Sequence, residues 1–245
     1  AVLSADMDRT DKVVTLIDEC VSGGLVVLPP DVNASEYRFA VADERTIRYG
    51  RGAVKGVGQA AVEALVAERG ARGPYRSIED LCRRVDLSRL NKRVFEALIR
   101  SGCCDGFGVN RATLMARLAT AMQAGEQSAR THRAGQVDFF GLETPQPAAA
   151  APEGASLPDW SEAQRLAGER ETLGLYLTGH PIGRYERDLK YLAGVRIADI
   201  AGDRPTAAEA GRSWADARSV SIAGLVLELR RRGTRVSIVL DDRSG

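Results

Sequence analysis

Residues 53–65 read AVKGVGQAAVEAL, with two glycines around one valine directly before a helical pattern. Gly56 and Gly58 permit unusual backbone angles and close approach of another backbone, while Val57 can enter a core. The helix that follows begins with N–H groups that have no intrahelical acceptor, and such a terminus attracts phosphate oxygens. The stretch therefore predicts a helix that begins at an anion-binding turn.

The same pattern returns further along the chain as DGFGVNRATLM, residues 105–115. Two Gly-apolar-Gly turns, each ahead of a helix, resemble paired helix-hairpin-helix motifs, which contact the backbone of duplex DNA without reading its sequence. We call Lys55–Gly58 the first hairpin and Gly106–Gly108 the second hairpin. The residues predicted to contact DNA are Arg51, Lys55, Gly56, Val57, Gly58, Gly106, Gly108 and Arg111. The alternative is two ordinary interhelix turns without a ligand.

Charge supports a polyanionic partner for the same region. Residues 45–133 carry 17 Lys and Arg against 8 Asp and Glu, although the whole chain has a net charge of only +1. A segment this basic is typical of nucleic-acid binding, but a solvated arginine-rich face would give the same count.

Hydrophobic periodicity indicates a mainly α fold. Helical spacing predicts four helices in the basic region, at 58–69, 77–85 (with Ser77 as N-cap), 90–102 and 109–125, the last ended by Gly125. Before them, a helix at 8–23 and short strands predict a small mixed α/β piece. After them, 159–198 is helical in pattern, and RRGTR at 231–235 predicts the turn of a C-terminal β-hairpin.

The stretch GQVDFFGL, residues 135–142, places two phenylalanines in a segment without a core of its own. Polar residues precede it, and 144–158 contains four prolines, which is typical of a linker. Phe139 and Phe140 either bind a groove on another protein or fold back onto the helical domain.

No catalytic site is evident in the sequence. Asp6, Asp8 and Asp11 could act as metal ligands of a nuclease, but at a helix start they are more simply a solvated cluster that the helix dipole favours. The four cysteines form no CxxC pair, which argues against zinc and disulfides and favours a cytoplasmic protein. No apolar run is long enough to span a membrane, so no membrane partner is expected.

Six segments in order resemble one family, the α subunit of bacterial DNA polymerase III, the C-family replicative polymerase. They are SADMDRTDKVVTLIDEC (4–20), LPPDVN (28–33), GAVKGVG (52–58), LNKRVFEALIRSG (90–102), GERETLGLYLTGHPI (168–182) and LDDRSG (240–245). The resemblance implies five parts. They are the end of the polymerase fingers (1–50), a tandem helix-hairpin-helix DNA-binding domain (51–130), a linker (131–158), a helical connector (159–212) and the first strands of an OB domain (213–245).

The resemblance also implies the partners. They are duplex primer-template DNA, bound behind the active site, the sliding clamp (beta subunit) and, through parts outside this chain, other replicase subunits. The family carries a clamp-binding pentapeptide of the form Gln-x-x-hydrophobic-Phe in this linker. Gln136, Val137, Asp138, Phe139 and Phe140 match it, with Phe at the fourth position where Leu or Met is commoner.

The expected catalysis lies elsewhere in the parent protein. By the resemblance, the palm carboxylates that hold two Mg²⁺ for phosphoryl transfer lie upstream, so no cofactor is expected here and the fragment should not polymerise DNA alone. The alternative is a stand-alone helix-hairpin-helix DNA-binding or repair protein that shares only this domain.

Overall fold

Apolar side chains at helical spacing form the core of the first part of the chain. Phe95, Leu98 and Ile99 are fully buried on one helix, and Leu65 and Leu81 from two other helices are buried in the same core. The structure is a computed structural model that describes residues 1–133, 156–192, 195–202 and 220–242. Its contacts divide the chain into two units, residues 1–178 and residues 179–245.

The first unit contains most of the helices and one small sheet. Its elements in chain order are α1 Val2–Ala5, α2 Thr10–Ser22, β1 Val26–Leu28, β2 Ala40–Asp43, β3 Thr46–Arg48, a 3₁₀ turn Arg51–Ala53, α3 Gln59–Arg72, α4 Ile78–Arg84, α5 Lys92–Arg100, a 3₁₀ turn Asp105–Phe107, α6 Arg111–Arg133 and α7 Glu162–Leu173. The predicted class, mainly α with a small mixed N-terminal piece and a C-terminal β-hairpin, is confirmed.

The N-terminal sheet has its last strand in the middle. β3 pairs in parallel with β1 and antiparallel with β2. Ile47 lies opposite both Val27 and Val41. A register shift between Val41 and Asp43 distorts the edge strand β2.

Polar caps begin the helices of the basic region where the sequence offers them. The Asp80 amide donates to Ser77 Oγ at 3.2 Å, which confirms the predicted N-cap of α4. The Val94 amide donates to Asn91 Oδ1 at 3.2 Å at the start of α5. Helix α3 differs, because its N-cap is Gly58, which has no side chain to accept a bond.

The prediction that Gly125 ends the fourth helix is wrong. Helix α6 continues to Arg133, and Gly125 is buried inside it. A Cβ at Gly125 would lie 2.9 Å from the carbonyl carbon of Cys82 and closer still to its oxygen. The glycine is therefore needed for the close approach of α6 to the C-terminal half of α4, and the helix tolerates its low propensity there.

Three of the four cysteines belong to the core of the first unit. Cys82, Cys103 and Cys104 are buried and free, and burial raises the pKa of the Cys82 and Cys103 thiols to about 12. They therefore remain protonated at neutral pH and act as small apolar side chains.

The second unit contains short helical elements and a two-stranded sheet. They are a 3₁₀ turn Pro181–Tyr185, α8 Glu186–Leu192, α9 Ile197–Gly202, β4 Leu225–Arg232 and β5 Arg235–Asp241. Strands β4 and β5 are antiparallel around a turn in which Gly233 has φ +60°, as RRGTR predicted. His180 Nε2 lies 3.2 Å from Asp241 Oδ2.

The division at residue 178 falls within the predicted connector 159–212, and the predicted domain boundaries stay predictions. No helix in the described part of the chain is both long and apolar enough to cross a bilayer.

Candidate nucleic-acid interface

The first hairpin is a tight turn held from two sides. Gly56 has φ +85°, a left-handed conformation that side chains strain, and Val57 points into the core with 5% exposure. The Lys55 amide donates to the Thr172 carbonyl at 2.8 Å, and the Val57 amide donates to the Val54 carbonyl at 3.1 Å. The Lys55 side chain is exposed. The turn is therefore rigid while its cation faces solvent.

The N-terminus of α3, directly after this hairpin, is open. The Ala61 and Val62 amides bond to the Gly58 carbonyl, but no acceptor for the Gln59 and Ala60 amides is found among the described residues. A Cβ at Gly58 would meet nothing within 4 Å. Gly58 has an ordinary φ of −74°, so the fold itself does not require glycine there. Its small size leaves room for a ligand against the free amides.

The second hairpin leads to a helix whose N-terminus carries a side-chain cap. The Thr113 amide donates to Asn110 Oδ1 at 2.8 Å, which caps α6. The side-chain Nδ2 of Asn110 donates to the Leu157 carbonyl at 2.7 Å. The backbone amide of Leu157 donates to Thr113 Oγ1 at 3.0 Å. The chain that returns at Ser156 and Leu157 thus lies against the start of α6, whereas no such segment is bonded to the start of α3 among the described residues.

Carboxylates also lie beside the second hairpin. A Cβ at Gly106 would lie 3.0 Å from Asp31 Oδ2, and Asp105 is directly adjacent in sequence. Gly108 has φ +70° and open space at its Cβ position, so its glycine is explained by the left-handed turn. Asp105 is paired with Arg111, but the Asp31 carboxylate beside this turn disfavours a phosphate, so the two hairpins differ in their electrostatics.

Arg51 is a support inside the fold, and its burial corrects the expectation of a phosphate contact. Its side chain is 0% exposed, and it donates to the Val32 carbonyl at 3.3 Å and the Ser35 carbonyl at 2.6 Å. Arg69 donates to the same two carbonyls. Burial lowers the pKa of Arg51 from its ordinary value. Arg51 thus joins the loop after β1 to the turn ahead of the first hairpin, and Arg69 joins the same loop to α3.

Arg111 is likewise engaged in the interior, so its predicted DNA contact is corrected as well. It is 4% exposed and lies 2.7 Å from Asp105 Oδ2 and 3.0 Å from Glu169 Oε1. Burial opposes its charge, but the hydrogen bonds and charges of Asp105 and Glu169 outweigh burial and raise the pKa of Arg111. Glu169 also accepts bonds from the Leu177 and Thr178 amides. This network joins the start of α6 to α7.

Of the predicted DNA contacts, the structure therefore brings Lys55, Gly56 and Gly58 together at one open helix start, with Val57 as their anchor in the core. The support from Thr172 was not predicted, because a backbone carbonyl far along the chain leaves no local signal. The predicted clamp-binding residues, Gln136, Val137, Asp138, Phe139 and Phe140, lie outside the described residues.

The acidic residues near the N-terminus lie around the first two helices. Asp6 caps the end of α1, and Asp11 lies in the first turn of α2. Within the ranges that the structure describes, no group of three or more His, Cys, Asp or Glu side chains is placed to hold a metal ion.

Comparison with known proteins adds two findings. Residues 24–114 match the model of the helix-hairpin-helix motif, a range that includes both hairpins. The whole chain is similar to proteins named DNA polymerase III subunit alpha, at 44% identity for Vibrio cholerae, 46% for Escherichia coli K12 and 43% for Pseudomonas aeruginosa. The chain spans 21% of the length of the first two relatives and 22% of the third.

Proposed function

From a relationship to bacterial DNA polymerase III subunit alpha that covers the whole chain, we propose that this segment holds duplex DNA for a replicative polymerase. The first hairpin and the start of α3 bind the sugar-phosphate backbone. One observation carries this proposal: Gly58 leaves two backbone amides open beside an exposed Lys55. Contacts of this kind position DNA and carry no sequence information.

The chemistry required of this segment is binding. A phosphate oxygen accepts bonds from the amides at the start of α3, and the helix dipole adds a favourable field. Lys55 adds a charge that displaces counterions. In this proposal the Mg²⁺-dependent transfer of nucleotides takes place in another part of the longer polymerase.

The test is a glycine substitution that fills the open space. Gly58→Val should weaken duplex binding by about tenfold or more, because it removes charge-assisted bonds worth about 1.5–3 kcal/mol. The loss should be equal for duplexes of different sequence. Fluorescence anisotropy with labelled duplexes measures both quantities. The φ of −74° at Gly58 suits valine, so the fold should be retained.

Gly70→Val is the matched control. Gly70 lies near the other end of α3, and its Cβ position is also free of neighbours. It should leave DNA binding unchanged. Equal binding by the two variants would remove the start of α3 from the interface, and a loss that depends on DNA sequence would contradict backbone recognition.

We also propose docking on a sliding clamp through residues 136–140, on the strength of the family resemblance. Burial of each phenylalanine in an apolar groove is worth about 1.5–3 kcal/mol. The loss of translational and rotational freedom on association costs part of this, so micromolar affinity, about −8 kcal/mol, is expected. Because the clamp encircles the DNA that the first hairpin holds, the two weak contacts would reinforce each other.

Replacement of Phe139 and Phe140 by Ala tests the docking. The double variant should lose binding to the clamp in surface plasmon resonance and keep its affinity for duplex DNA. Unchanged clamp affinity would show that the pentapeptide assignment is wrong, while the DNA-binding proposal would be unaffected.

A further inference from the structure

Helix α5 carries three basic residues, and their side chains have different partners. Lys92 Nζ lies 3.7 Å from Glu96 Oε1, and Arg100 forms an ion pair with Glu171. Arg93 is exposed, and no ion pair or hydrogen bond of its side chain is found within the described part of the chain. Among the three basic residues of α5, Arg93 is therefore the one whose charge is not balanced by a carboxylate of the described residues.

The first hairpin rests on the same helix. A Cβ at Gly56 would lie 3.6 Å from Ala97 Cβ, which places the turn against the middle of α5. Arg93 precedes Ala97 by four residues, so it lies on the same face, about 6 Å away along the axis. Lys92 precedes Ala97 by five residues and points about 140° away around the helix.

We propose that Arg93 binds a phosphate of the same duplex, next to the one held at the start of α3. This inference rests on the proposed function of the first hairpin. Along one strand of DNA, successive phosphates are separated by about 3.4 Å of helix axis. A cation about 6 Å from the hairpin along α5 is therefore within reach of a phosphate next to the one that the hairpin binds. The guanidinium fork can bond two phosphate oxygens at once.

Arg93 differs from most other cations near the first hairpin because no carboxylate of the described residues pairs with it. Arg51 is buried, Lys92 has Glu96 beside it, and Arg100 is held by Glu171. Lys55 and Arg93 are the two exposed cations close to the turn for which the described residues provide no carboxylate within ion-pair distance.

The experiment measures the salt dependence of duplex binding for the 245-residue chain and three variants. Arg93→Ala should lower the slope of log affinity against log salt by about 0.9, the loss of one neutralised phosphate. Between 50 and 200 mM salt, the fold loss of affinity should then be about 3.5 times smaller for the variant than for the parent chain. Arg93→Lys should keep the slope, because the charge remains. Lys92→Ala, on the same turn of the same helix, is the matched control and should change the slope much less.

The outcomes separate this inference from the proposed function when Gly58→Val is measured alongside. Weaker binding for Gly58→Val with no difference between Arg93→Ala and Lys92→Ala overturns the role of Arg93 and leaves the hairpin in place. No effect of either Gly58→Val or Arg93→Ala overturns both. An effect of Arg93→Ala alone overturns the shared site, because DNA would then bind on α5 without the hairpin. A midpoint of thermal unfolding equal to that of the parent chain confirms that each variant is folded.

Discussion

At the scale of single residues, two helical glycines have opposite surroundings. Gly70 in α3 has nothing within 4 Å of its Cβ position, whereas Gly125 in α6 lies against the backbone of Cys82. Glycine weakens a helix by its entropy, so an exposed helical glycine gains from replacement by alanine. A glycine at a close helix contact does not, because the added carbon must push the helices apart.

We therefore predict opposite effects on stability for the same substitution. Gly125→Ala should lower the free energy of unfolding by about 1–3 kcal/mol through overpacking. Gly70→Ala should raise it by about 0.5–1 kcal/mol through helix propensity. Urea unfolding followed by circular dichroism measures both. If Gly125→Ala were stabilising as well, α6 would not approach α4 as closely as described.

At the scale of elements, α6 and α7 are joined by a buried charge network. Glu169 is 1% exposed and bonds to Arg111 and to the amides of Leu177 and Thr178. Two residues along the same helix, Glu171 is largely exposed and pairs with Arg100 at the surface. Loss of one charge from a buried, hydrogen-bonded network leaves its partners uncompensated and destabilises a protein far more than loss of one charge from an exposed ion pair, which salt and solvent screen.

The two glutamates should accordingly respond differently to loss of charge. Glu169→Gln should lower the free energy of unfolding by about 1.5–3 kcal/mol, because it weakens several charge-assisted bonds and leaves the buried Arg111 with less compensation. Glu171→Gln should change it by less than about 1 kcal/mol. Guanidinium is itself a salt, so urea is the proper denaturant for this comparison. Equal effects would mean that water reaches Glu169.

How much of these elements the sequence predicts depends on how local their signals are. The periodicity of α3, α4 and α5 and the cap at Ser77 are local, and the predictions agree with the structure to within a few residues. The prediction that a helix ends at Gly125 is wrong because glycine is favoured both at helix ends and at close contacts between helices. The positions of Arg51 and Arg111 relative to solvent depend on loops and helices distant in sequence, so basic character alone predicted a surface that neither residue reaches.

The same reasoning applies to the candidate site. Gly56, Val57 and Gly58 form a local turn, which is why their arrangement follows from the sequence. The contact between Asn110 at the start of α6 and the chain that returns at Leu157 joins residues far apart in sequence, and no local pattern indicates it.

At the scale of the whole molecule, the two units differ in how fully they bury apolar surface. In the first unit, Phe95, Leu98 and Ile99 of α5 are fully buried. In the second, Val226, Leu229, Val236 and Ile238 lie on one face of the β4–β5 sheet and are each more than half exposed. A two-stranded sheet with such a face is marginal in water.

Hydrogen exchange should reflect this difference. The amides of α5 should exchange most slowly, near the rate set by global unfolding, and those of β4 and β5 should exchange much faster through local opening. Mass spectrometry of peptides after timed exchange measures both in one sample. Equal protection would show that the exposed face is covered in solution.

The bond between the Lys55 amide and the Thr172 carbonyl has a consequence for how the protein is made. About 120 residues of chain separate the two groups, and ribosomes add roughly 5–20 residues each second. The first hairpin therefore leaves the ribosome on the order of ten seconds before the helix that braces it. A chain still in synthesis therefore carries the first hairpin without its support, and the turn proposed to hold the duplex becomes rigid only once α7 has been translated and packed.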